Sequence, residues 1–170
     1  MKEGRAHISL PFKGRAGVGM GYRILDHTAD IGVEVHGATL VDLFAQAALA
    51  LFDLLTDRAM LTGATEKVIR IEGTDMTDLW INYLREVLYL FNGDNFLVKE
   101  ILQRNGNLPL ITIEESEDKG TGVRLEAHFS GELYSPQRHI IKTEIKAVTY
   151  HHAEVKQTPE GWQGVFIVDV

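Results

Sequence analysis

An α+β sandwich of mostly antiparallel sheets is the fold class that the sequence predicts, on two observations. Only two stretches carry the spacing of an amphipathic helix, while most of the remainder alternates apolar and polar residues like half-buried strands. The strands also follow one another without regular intervening helices, so the βαβ rhythm of a parallel sheet is missing.

The elements follow in order. "MKEGRAHISLPFKGRAGVGMGY" is basic and Gly-rich but has no apolar h-region, so it is not a secretory signal. Residues 1–21 are read as a poorly ordered N-terminal extension, and the domain as 22–170. A translation start at Met20 would remove most of the extension. "IGVEVH" (31–36) alternates as a strand and Gly37 closes it. Thr39 is placed to cap a helix with Asp42 three residues on. Leu43, Phe44, Ala47, Ala48, Leu51 and Leu55 then mark one face of a helix over 40–55. "EKVIRIEG" (66–73) is the next strand. Asp75 caps a second helix with Leu79, Tyr83, Leu84, Val87, Leu88 and Phe91 on its apolar face, and "NGDN" ends it. "FLVKEILQ", "LPLITIEES" and "VRLEAHFSGEL" read as strands separated by the turn signals "RNGN" and "EDKGTG". "SPQRHIIK" breaks the rhythm. "EIKAVTYHHAEVKQ" and "GWQGVFIVDV" then form a hairpin through "TPEG".

Bulk properties narrow the function. The 170 residues suit one domain with room for an inserted lobe, and the composition, 45% hydrophobic and 24% charged, is ordinary for a globular chain. A net charge of −7 argues against gripping nucleic acid directly, though not against docking onto a basic protein that holds RNA. With no cysteine, disulfides, thiolate zinc sites and cysteine nucleophiles are excluded, which fits a reducing cytoplasm. No apolar run is long enough to span a membrane.

The chemistry concentrates in "LDHTADIGVEVHG". Asp26 and Asp30 stand four apart in a segment read as a turn before the 31–36 strand. Carboxylates in irregular backbone suit a hard cation such as calcium. Asp and Thr also build turns on their own, because their side chains bond nearby backbone, and local sequence leaves both readings open. In "VFIVDV", Asp169 stands on a core strand next to Val170. If that strand pairs beside the one following Asp30, three anionic groups converge and need a cation or a lysine to neutralise them. Lys146 is the candidate lysine, the alternative being a strand residue that simply faces water.

Other chemistries find less support. His151 and His152 are adjacent in a strand, so alternation sends their rings to opposite faces. His27 has no His-x-His or His-x-x-x-His partner for a zinc site. No Gly-x-Ser-x-Gly elbow or Walker A loop is present, and the glycines of "GRAGVGMG" follow no strand. A metal-dependent hydrolase built on the same acids needs a cleft and a general base that no motif names. A chaperone-like binding module with a structural metal is the other alternative.

"LDHTADIGVEVHGATLVDLFAQAALALFDLLTD", "KAVTYHHAEV" and the terminal "VFIVDV", in this order, resemble the archease family over Tyr22 to Val170. The resemblance implies a two-lobed fold, a duplicated strand–helix–strand–strand module with one copy (about 66–135) inserted into the other. It implies an accessory protein, not an enzyme, for the RtcB-type tRNA-splicing RNA ligase, in the cytoplasm. The role is to promote guanylylation of the ligase histidine and to restore it for multiple turnover, with RNA met only through the ligase. It also implies a divalent-metal site, calcium first with magnesium or manganese as alternatives. The ligands carried over are Asp30, Asp169 and the Val170 main-chain oxygen, with Asp26, His27 and Lys146 as supporting or partner-contacting residues. Valine stands where the family usually ends in isoleucine, which leaves that oxygen available.

Overall fold

The computed structural model describes residues 21–26, 29–115 and 122–170. The proposed N-terminal extension therefore lies outside the described residues, apart from Gly21, which opens the first strand.

Two antiparallel sheets enclose a layer of two helices. The first sheet has the order β1-β2-β10-β9, from β1 (Gly21–Asp26), β2 (Asp30–Gly37), β10 (Gly161–Asp169) and β9 (Ala147–Thr158). The second is built on β8 (Val123–Leu133). One side of β8 carries β3 (Thr65–Gly73); the other carries β7 (Ile111–Glu115) and then β4 (Phe96–Ile101). The short strands β5 (Gln103–Arg104) and β6 (Leu108–Pro109) form a small ladder between β4 and β7. The α+β class read from the sequence is the observed one.

Both helices start where their caps dictate. In α1 (Leu40–Leu55), Thr39 accepts from the Asp42 amide at 3.1 Å, and Asp42 accepts from the Thr39 amide at 3.0 Å. In α2 (Met76–Asn92), the Asp75 carboxylate accepts from the Asp78 amide at 2.9 Å. The strand before each helix ends on a glycine for the same steric reason. A Cβ on Gly37 would collide with the Leu43 backbone, and one on Gly73 with the Leu79 backbone. Strand, glycine, cap and helix thus repeat at a constant offset, although their side chains differ.

The helices are more buried than one apolar face requires. α1 packs on β2, β10 and β1 on one side and on β4 and β7 on the other; α2 bridges β9 and β3. This double coverage explains why Ala45, Ala50 and Phe52 are buried beside the expected face, since a helix apolar all round belongs inside. At the centre Phe44 meets Trp80 and Tyr83 edge-on, each with ring centres 5.1 Å apart, and Trp80 meets Phe166 at 6.1 Å. The Trp80 indole N–H donates to the Val165 carbonyl at 3.1 Å, so even the polar edge of this ring is satisfied.

The outer face of each sheet carries the same polar device. Glu34 takes Arg23 from the facing strand at 2.9 Å and His36 at 2.8 Å; Glu126 takes Arg70 at 2.6 Å and His128 at 2.8 Å. For Glu34, partial burial raises the pKa, but the bonds from Arg23 and His36 outweigh it and hold the carboxyl below its ordinary value.

Candidate metal centre

β2 and β10 lie side by side at the middle of the first sheet, with Asp30 directly opposite Asp169. Residues directly opposed in an antiparallel ladder share a face, with Cβ atoms about 4.5–5.5 Å apart. Phe166 and Val168 point inward and are fully buried, so alternation turns Asp169 to the outer face, together with Asp30. Asp169 is exposed and Asp30 half-buried. Among the described residues, no donor or cation pairs with either carboxylate. Two like charges facing each other across a ladder with no partner repel.

The backbone around this corner is fixed by its neighbours. Lys146 lies just before β9, where its amide donates to the Asp169 carbonyl at 2.8 Å. Its ammonium donates to the Val170 main-chain oxygen at 3.2 Å, not to the acids. Ala147 continues the row as the β9 partner of Asp169. Three main-chain segments thus converge on the sheet end that bears the acids.

The other sequence-derived candidates are placed less directly. Asp26 is the last residue of β1, opposite Ile31, so its backbone belongs to a strand and not to the expected turn. Leu25 breaks the period-2 pattern of β1, and β2 opens at Asp30. His27 lies outside the described residues. Among the described residues no group of three or more His, Asp or Glu is gathered to hold an ion. A site here therefore takes two carboxylates and main-chain oxygen, a donor set of oxygens that suits a hard dication.

The histidine pair is a correction. Val165 pairs with Glu154, but Ile167 pairs with Thr149, so residues 150–153 of β9 bulge opposite Phe166. His152 takes a φ of 53°, and the rings of His151 and His152 meet with centres 4.0 Å apart. Alternation predicts opposite faces; the extra residues cancel it.

The hydrolase alternative requires a cleft with a poised base. A groove of about 720 Å³ does cross the outer face of the second sheet, lined by Arg70, Glu72, Thr112, Glu114, Arg124 and Glu126. Its Glu126 is held by both Arg70 and His128. The bonds from His128 and Arg70, opposed only by slight desolvation, hold this carboxyl below its usual range, which makes it a weaker base and not a poised one.

Taken together, the fold and this corner define a small α+β protein with two central helices between antiparallel sheets and facing acids at one sheet end. The chain belongs to the archease family: the model described as "Archease protein family (MTH1598/TM1083)" matches residues 22–170. Protein archease of Methanosarcina acetivorans is 34% identical over 152 residues, covering 89% of this chain and 97% of that protein. Protein archease of Archaeoglobus fulgidus is 33% identical over 151 residues, covering 89% and 100%. The solution structure of Methanobacterium thermoautotrophicum protein 1598 superposes with a TM-score of 0.71 at 28% identity, covering 88% of this chain and 98% of that one. No helix among the described residues is long and apolar enough to cross a membrane.

Proposed function

We propose that the protein is a non-catalytic accessory factor of an RtcB-type tRNA-splicing RNA ligase, acting through a divalent cation held at Asp30, Asp169 and the Val170 main-chain oxygen. The observation that carries the cation is the register of β2 and β10, which sets two carboxylates, unpartnered among the described residues, face to face. Membership of the archease family supports the ligase as partner. Calcium is the first choice of ion, with magnesium and manganese as alternatives.

A bound dication supplies a fixed positive charge with open positions for water, a partner carboxylate or a phosphate. The chain's own residues do the rest. β2 and β10 hold the carboxylates on one face, and the Lys146 ammonium, which donates to the Val170 oxygen, gives way there to the ion. The site is presented at a sheet end, so it is suited to docking as a cap on the ligase pocket, where it favours guanylylation and repeated turnover. RNA is met through the ligase, consistent with the net charge of −7.

Multiple-turnover RNA ligation with the cognate ligase tests this reading. The wild-type protein is expected to accelerate turnover, and Asp30→Ala to abolish the acceleration. Full activity of Asp30→Ala would sink the site. Calcium or manganese titration should show Asp169→Asn binding roughly tenfold or more weakly, and equal affinity would remove the metal. Turnover of phosphate esters by the protein alone would revive the hydrolase.

A further inference from the structure

We infer that His151 and His152 form a second cation site, a two-imidazole clip for a borderline transition-metal dication such as Zn²⁺. It is separate in place and in chemistry from the proposed oxygen site.

The geometry makes the clip. Adjacent strand residues normally diverge, but the bulge at 150–153 and the φ of 53° at His152 bring both rings to one side, 4.0 Å between centres. Both residues are exposed, so their nitrogens are open to solvent and ions. Metal–nitrogen bonds of about 2.0–2.1 Å place two ligating rings roughly 5 Å apart centre to centre. Rotation of the exposed side chains supplies the remaining opening of about 1 Å, without backbone movement.

The bulge is also held in place. The Tyr150 hydroxyl donates to the Asp78 carboxylate at 2.6 Å. The Arg85 guanidinium lies 4.6 Å over the Tyr150 ring, and its Nε donates to the Val148 carbonyl at 3.0 Å. Asp78 and Arg85 both belong to α2, so the strand beside the histidines is fastened to a buried helix. A clip whose backbone is fixed loses little entropy when it takes an ion.

Imidazole selects zinc, copper and nickel over calcium or magnesium, which prefer oxygen. No third His, Asp or Glu completes the set among the described residues, so the remaining positions fall to water or to a partner's donor. The clip is thus built to share an ion across a contact.

Isothermal titration of the full chain with Zn²⁺ in excess Ca²⁺, which saturates oxygen sites, tests the inference. The expected result is one Zn²⁺ per chain, weakened roughly tenfold or more in His151→Ala and in His152→Gly, and unchanged in Asp169→Asn. Glycine keeps the positive φ and removes only the ring, and the melting curve of each variant checks the fold. Should His152→Gly fail to fold, His152→Asn takes its place, because asparagine tolerates the same backbone. Wild-type affinity in the histidine variants, loss in Asp169→Asn instead, or no wild-type binding overturns the proposal.

Discussion

At the scale of single residues, carboxylates decide the behaviour of this molecule, and their surroundings differ sharply. Glu132 is buried, which raises its pKa, but Thr62, His139 and Arg138 all donate to it, and together they hold it at about 2. The His139 Nδ1 accepts from the Ser135 amide at 2.9 Å, which leaves its Nε2–H to point at Glu132. With a folded pKa below the ordinary glutamate value, this group stabilises the fold fully above about pH 4.5. That contribution is lost as the pH falls toward 2. Urea titrations between pH 2 and 7 should show the loss, and Glu132→Gln should flatten that part of the profile while costing about 1–3 kcal/mol at neutral pH. Asp30 and Asp169, by contrast, face each other without a partner among the described residues. With chelator present, Asp169→Asn should raise the melting point by removing repulsion worth a few tenths to about 1 kcal/mol. With saturating calcium the same substitution should lower it relative to wild type, so the order of the two melting curves reverses. Local sequence offered the pairing of these acids only as a condition, which the family resemblance favoured, because the order of strands in a sheet is not a local property.

At the scale of elements, the parts that are legible in the sequence are those whose signals are local. The 40–55 helix was readable to the residue because Thr39 and Asp42 mark its start and Leu55 ends its apolar pattern. β8 was readable over its whole length for a similar reason: eleven residues of alternation stand between turn signals. β1 was not, since Leu25 follows Ile24 and breaks the alternation that Tyr22 and Arg23 begin. The bulge in β9 escaped altogether, because extra residues leave no compositional trace when exposed and buried positions still alternate on either side. The caps give a direct test of element-level reasoning. Thr39→Ala and Asp75→Ala should each cost about 0.5–2 kcal/mol in chemical denaturation, through the first turn of their helices. Gly37→Ala should cost more than either, because the new methyl meets the Leu43 backbone, which cannot yield without moving the helix.

At the scale of the whole molecule, the two sheets do not have separate cores. Trp80 lies on α2, touches Phe44 of α1, and donates to the carbonyl of Val165 in the first sheet. α2 meanwhile packs on β3 of the second. A shared core of this kind should unfold as one unit, so far-UV circular dichroism and tryptophan fluorescence should report the same midpoint. Separate midpoints would show that the two sheets melt independently. Trp80→Ala should destabilise the whole by about 3–5 kcal/mol, measured as the shift in that common midpoint. The pairing of β2 with β10 has a further consequence, in the language of polymers. Asp30 and Asp169 lie 139 positions apart in the sequence, yet they close the same row of the ladder. An ion gripped by both is then a clasp on a loop that contains nearly the whole domain. It would constrain the unfolded chain as a long-range disulfide does, in a sequence that has no cysteine to make one.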